Sequence, residues 1–330
     1  MMKKLAFLAA ALLALAPACG DDDDGETPID AHPTIDAANT PDAMTPVDAA
    51  PDAAVLPNSG FVPPTEVTAA FEDGAEVAAD WSCLGTPGVE VPVKTAFDVN
   101  GLVHKALPPG AGTPIDAAAV TMYPGFDFTA EGQEATTDAD GLFVINVPAD
   151  VERANTRWAF KVIAEGQVDS YLVNVPIPSA GAPAESPVDI TSVGTTIIGL
   201  FENATGETIM EGKTVIAGSI SDCAGNPVLH AVAMVSTTAG EQAHVVGADT
   251  YYFDQLPASH ESQPDTNTDG LFVVINTPPA ETSYLQVWGF VNDDDLADGE
   301  MTLLGELAMP TVADGFMTTG VEPLRTTPAP

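Results

Sequence analysis

Residues 265–275 read DTNTDGLFVVI and residues 136–145 read TTDADGLFVI. The first places Asp265, Asn267, Asp269 and Gly270 at the alternating spacing of a calcium-binding loop, so the choice between a metal site and a repeated turn decides how the chain is read. A loop of that kind closes with a bidentate glutamate at its twelfth position. Counted from Asp265 that position is Asn276, and counted from Thr136 it is Val147, so neither copy carries the closing carboxylate. Both copies run on into alternating apolar residues, as a strand does. The glycine suits a positive φ, and the aspartate before it suits a turn that bonds its own backbone. The reading is one hairpin turn built twice. A weak calcium site at Asp265, Asn267 and Asp269 stays as the alternative, helped by Asp293, Asp294 and Asp295 if those loops meet.

Outward from these turns, short runs rich in Val, Ile, Phe and Tyr alternate with Gly, Pro, Asn and Asp, and no long amphipathic helix interrupts them. That pattern predicts an all-β chain of antiparallel sheets packed as sandwiches. Strands are expected near 96–104, 118–123, 142–147, 158–164 and 171–175, then near 214–221, 231–236, 251–256, 271–275, 284–290 and 301–307. The stretch 195–207 reads as a short helix or a connecting segment. An internal repeat is visible, because PIDAAAVTMY at 114–123 matches PVLHAVAMVS at 227–236 and each is followed by the Asp-Gly-Leu-Phe turn. Pro227 lies further from Gly270 than Pro114 does from Gly141, which places an insertion of the second copy within 237–266.

VIAGSISDCAGNPVLHAVAMV followed by TNTDGLFVVINTPPA resembles a carboxypeptidase regulatory-like domain of the transthyretin or prealbumin type. Gly218, Asp222, Gly225, Pro227, Ala231, Ala233, Thr268, Asp269, Gly270 and Phe272 carry the resemblance. The first copy is similar through Pro114, Ala118, Val120, Thr137, Asp138, Asp140, Gly141 and Phe143, but has ALPPGAGTPID where the Asp-x-x-Gly-x-Pro turn would stand. The resemblance implies two tandem seven-stranded antiparallel sandwiches without catalytic residues, used as spacers or recognition modules. The expected organisation is a leader at 1–19, a tether at 20–75, a first sandwich at 76–193, a connector at 194–211, a second sandwich at 212–325 and a tail at 326–330.

The chain opens MMKKLAFLAAALLALAPACG, a basic start and an apolar run ending in small residues. That is the pattern of a secretory signal peptide, and the run is too short for a comfortable bilayer span. Ala16, Pro17, Ala18 and Cys19 resemble a bacterial lipobox, which implies that Cys19 becomes a lipidated amino terminus anchored in a membrane; cleavage without lipidation is the alternative. Two acyl chains hold stably where one holds only marginally. Gly20 in place of aspartate implies an outer-membrane destination in the cell envelope. Residues 20–60 then repeat Pro, Asp and Ala without a helical or strand period, which predicts a disordered spacer. In polyproline-like form it reaches roughly 100 Å or more.

Nine Lys and Arg against 48 Asp and Glu make the chain repel phosphate backbones, which excludes nucleic acid as a partner. With Cys19 acylated, Cys83 and Cys223 are left as a pair in an oxidising compartment, which predicts a disulfide, with two buried thiols as the alternative. No serine-hydrolase elbow, phosphate loop or dinucleotide fingerprint occurs, and His32, His104, His230, His244 and His260 never stand at metal-ligand spacing. The chain is therefore read as no enzyme, with no cofactor beyond the weak calcium site. Trp158 and Trp288 fall in corresponding strands and are expected in the core. Tyr251 and Tyr252, within the insertion, are the expected contact surface for a protein or glycan ligand.

Overall fold

The computed structural model describes residues 62–88, 96–106, 112–149, 157–177, 181–254, 256–257 and 263–325. The leader, Cys19 and most of the expected tether lie outside the described residues, as do His32 and His260. The chain is mostly β. A hairpin of β1 (Ala69–Glu72) and β2 (Ala75–Ala78) comes first. The first repeat supplies β3 (Phe97–Lys105), β4 (Ala119–Pro124), β5 (Gln133–Thr136), β6 (Leu142–Val147), β7 (Arg157–Ile163), β8 (Ser170–Pro176) and β9 (Val188–Ser192). Helix α1 (Thr196–Thr205) follows, ending at Gly206 in the left-handed region with its N–H on the Glu202 carbonyl. The second repeat supplies β10 (Thr214–Ile220), β11 (Val228–Leu229), β12 (Ala231–Ser236), β13 (Asp249–Asp254), β14 (Leu256–Pro257), β15 (Leu271–Thr277) and β16 (Ala280–Gly289). Helix α2 (Asp293–Asp298), β17 (Thr302–Thr311) and β18 (Phe316–Val321) complete it.

Matching contacts surround the two quoted turns. In the first repeat the Ala118 N–H donates to Thr137 Oγ1 at 2.8 Å, and in the second the Ala231 N–H donates to Thr266 Oγ1 at 3.0 Å. The glycines of the quoted turns, Gly141 and Gly270, both have positive φ and accept from the N–H of Val103 and Ile220 respectively. A Cβ on Gly141 would sit 2.5 Å from the Val103 carbonyl oxygen, and one on Gly270 would sit 2.7 Å from that of Ile220. Glycine is required there both by backbone conformation and by the close approach of the neighbouring strand. The two turns are thus the same structure.

Among the described residues the strands form four sheets: β11-β1-β2, β6-β3-β9, β12-β16-β17, and a nine-stranded sheet in the order β14-β13-β15-β10-β18-β8-β7-β4-β5. The last draws on both repeats. They meet where β8 and β18 pair in parallel, with Phe316 opposite Ser170 and Met317 opposite Tyr171. Side chains alternate across a strand, so Tyr171, Leu172 and Val173 serve the two cores in turn, and an extra residue of β8 at Asn174, with φ 63°, returns Val175 to the face of Leu172. Leu172 and Val175 join Phe160, Val120, Phe143 and Ile190 in a core under β6-β3-β9. Tyr171 and Val173 join Met317, Ile216, Phe272, Trp288 and Leu285 in a core under β12-β16-β17, on the opposite face. A third core forms where Ile197 and Phe201 of α1 cover Phe316, Val215, Tyr251 and Val273. Every described residue falls in one compact unit.

The hairpin corrects one boundary. Residues 69–75, read above as the end of the tether, form β1 and the start of β2, and β1 pairs with β11 through Ala69 opposite Leu229 and Ala70 opposite Val228. The turn is Asp73-Gly74, both at positive φ, the conformation favoured for a two-residue hairpin. β9 and β18, each paired in parallel with the strand that opens its repeat, also lay outside the expected strands.

Gly218 of β10 lies under the Phe272 ring, and an added Cβ would meet the ring Cζ at 2.4 Å. Gly218→Ala is expected to cost about 1–3 kcal/mol by overpacking. Gly199→Ala in α1, where the methyl meets nothing within 4 Å, is expected to gain about 0.5–1 kcal/mol. Urea midpoints of the two variants against the parent check both.

Candidate functional site

The residues expected to hold calcium have other uses. Asp269 is exposed at the turn. Asn267 organises the turn itself, its Oδ1 accepting the Thr268 N–H at 2.8 Å and its carbonyl the Gly270 N–H at 2.7 Å. Asp265 is buried, and its Oδ1 lies 3.6 Å from Nδ1 of His230. Asp293, Asp294 and Asp295 form the first turn of α2, where Asn292 accepts the Asp295 N–H at 2.9 Å and the acidic side chains suit the positive end of the helix.

Tyr251 and Tyr252 are not a contact surface: they are 4% and 1% exposed. Both lie on β13, a strand of the nine-stranded sheet, so alternation sends Tyr251 under α1 and Tyr252 into the core below β12. Tyr252 has a definite task there. The Ala233 N–H donates to its Oη at 3.0 Å, while Thr250 Oγ1 donates to the Ala233 carbonyl at 2.9 Å. The same open edge of β12 is served on either side. Ala231 exchanges bonds with Thr266, and Val235 donates its N–H to His244 Nδ1 at 3.1 Å and accepts from the Val245 N–H. All six residues of β12 are buried, so its unpaired backbone groups need such partners. The insertion at 237–266 supplies them.

Cys83 and Cys223 are joined in a disulfide with Cα atoms 5.7 Å apart. It closes a loop with a sequence separation of 140, for which loop entropy gives on the order of 4–5 kcal/mol. Around it the Cys223 N–H donates to the Asp80 carbonyl at 2.9 Å and the Asp80 N–H to Asp222 Oδ2 at 3.1 Å. Further on, the Gly85 N–H donates to the Leu324 carbonyl at 2.9 Å. The segment before the first repeat is therefore fastened to the second. Trp158 and Trp288 are buried as expected, Trp158 edge-on to Phe97 at 6.0 Å between centroids.

The histidines separate into three environments. His244 is buried, which pushes its imidazole pKa down; its Nε2 has no partner among the described residues. His104 Nε2 lies 2.6 Å from Asp189 Oδ1, and that carboxylate raises the imidazole pKa above its ordinary value against the effect of burial. His230 stands between β11 and β12 at φ 56°, its N–H on the Thr266 carbonyl at 3.0 Å and its own carbonyl accepting from Thr68 Oγ1 at 3.0 Å. One ring nitrogen faces Asp265, whose carboxylate raises the pKa, while Nε2 lies 3.8 Å from Glu66 Oε2. Glu76, on β2, completes a group whose three ligand-capable atoms all lie within 4.8 Å of one another. Among the described residues this is the group of His, Cys, Asp and Glu with metal-ligand spacing.

Glu66 and Glu76 were not singled out in the sequence. The Asp-Gly turn at 73–74 signals the hairpin that carries Glu76 past the strand. Its landing place beside His230 depends on the pairing of β1 with β11, far apart in the sequence, which no local pattern reports. Neither a protein-family model nor a curated protein sequence matches this chain.

Tyr252→Phe leaves the Ala233 N–H buried without its acceptor and is expected to lower stability by about 1–3 kcal/mol, measured as a urea midpoint at unchanged slope. For His104 the raised pKa fixes the sign. The pair with Asp189 contributes fully below the unfolded value of about 6.5, and that contribution is lost as pH rises through the folded value. Asp189→Asn is therefore expected to lower the melting temperature more at pH ~5 than at pH ~9.

Proposed function

We propose that this chain is a non-enzymatic, lipid-anchored protein of the cell envelope, with two tandem transthyretin-like sandwiches serving as a structural or ligand-binding module. The observation that carries the reading is the leader: a basic start, an apolar run and small residues leading to Cys19. The acidic Pro- and Ala-rich spacer after it fits a domain held off a membrane surface. A disulfide between the two downstream cysteines fits an oxidising compartment. The matched contacts of Thr137 and Thr266, and the parallel closing strands β9 and β18, support the reading of two copies of one sandwich.

The polar groups that the sequence offered for ligand work support a structural role over a glycan site. Tyr252 closes the edge of β12, Asn267 shapes its turn, and the carbohydrate-binding alternative rested on Tyr251 and Tyr252, which are buried.

Expression in a bacterial host with an alkyne-tagged palmitate analogue tests the anchor. The parent is expected to carry label and to sediment with membranes, and Cys19→Ala to lose label and appear in the soluble envelope fraction. An unmodified mature amino terminus in the parent, read by mass spectrometry, overturns the reading.

A further inference from the structure

We propose that Glu66, Glu76 and His230 bind one divalent transition-metal ion, Zn2+ or a close congener, which clamps the amino-terminal hairpin to the second repeat. The site does not depend on the lipid anchor. Its donor set is one imidazole nitrogen and two carboxylate oxygens, a borderline mixture that suits Zn2+, Co2+ or Mn2+. Calcium takes six to eight oxygens and has little use for imidazole. Around a tetrahedral ion with bonds near 2.1 Å, ligand atoms stand about 3.4 Å apart. His230 Nε2 and Glu66 Oε2 are already 3.8 Å apart, and both glutamates are exposed, so small rotamer changes close the rest of the group.

What separates this group from an ordinary acidic surface is the orientation of the histidine from behind. Asp265, 7% exposed and on a different segment, faces Nδ1 at 3.6 Å and leaves Nε2 to the glutamates. A carboxylate behind a ligating imidazole is the usual device for fixing its tautomer and raising its basicity. The ring is held in place from the backbone as well, through Thr266 and Thr68. Three carboxylates thus surround one imidazole, and among the described residues no lysine or arginine makes an ion pair with Glu66 or Glu76. A divalent cation would balance that charge. Glu66 and Glu76 belong to the amino-terminal segment, whereas His230 and Asp265 belong to the second repeat, so an ion between them adds a cross-link beside the β1–β11 pairing and the Cys83–Cys223 disulfide. Three protein ligands leave one position for water.

The test is calorimetric titration of the EDTA-treated full chain with ZnCl2, with CoCl2 absorption as a second readout. The parent is expected to take up one equivalent of Zn2+, to give the intense visible bands of tetrahedral Co2+, and to melt higher with metal than in EDTA. Glu76→Gln and His230→Asn are expected to lose all three effects, and asparagine tolerates the positive φ at that position. Asp265→Asn is expected to keep the stoichiometry and weaken binding by about 10–100-fold. The glutamates are exposed, so an unchanged melting temperature of Glu66→Gln and Glu76→Gln in EDTA verifies their fold. No uptake at millimolar Zn2+, equal uptake by Glu76→Gln, or Ca2+ binding as tight as Zn2+ would each overturn the proposal.

Discussion

Parallel pairing of β8 with β18 joins two repeats that would otherwise each present an open edge. Unpaired backbone at a sheet edge is a template for association with other chains, and burying it without partners is costly. Here the edge of one repeat's sheet becomes the interior of the other's. One continuous sheet then carries a core on each face: Leu172 looks toward the first repeat's covering sheet and Tyr171, its neighbour, toward the second's. Any change that shifted β8 by one residue would exchange these faces along its whole length. Helix α1 packs against the same junction, Phe201 stacking on Phe316 of β18.

The repeats differ where backbone pairing had to be solved twice. In the first, β5 pairs with the outer edge of β4, with Ala119 opposite Thr136 and Val120 opposite Ala135. In the second, among the described residues, no strand lies along the corresponding edge of β12. Tyr252, Thr250, His244 and Thr266 reach it one group at a time instead. The longer connection in the second copy therefore serves as a cap on that edge, and Tyr252 points inward to accept the Ala233 N–H. Tyr251 and Tyr252 read as a contact surface because an insertion suggested a loop, where function gathers; they are instead strand residues of β13, and Tyr252 combines a buried apolar body with a polar tip.

Fold class was legible because turn chemistry is local. Gly141 and Gly270 announce themselves through the residues on either side, and the strand after the first alternates cleanly, so Leu142–Val147 was placed to the residue. Among the strands missed are several whose identity is set by distant partners. β9 and β18 close their repeats by parallel pairing, and β1 is stabilised by Val228 and Leu229, far along the chain. The disulfide was legible by cysteine arithmetic. The cluster at His230 was not, since its members come from three separate segments and only the fold brings them together.

The closing strand β18 lies between β10 and β8, and the opening hairpin waits for β11. During synthesis β1 therefore emerges well before β11 and β8 well before β18, and the nine-stranded sheet cannot be completed until β18 is available. Such long-range topology slows folding and leaves exposed edges in the meantime. A chain cut short before Phe316 would keep most of its sequence and yet have two raw margins where the finished protein has none.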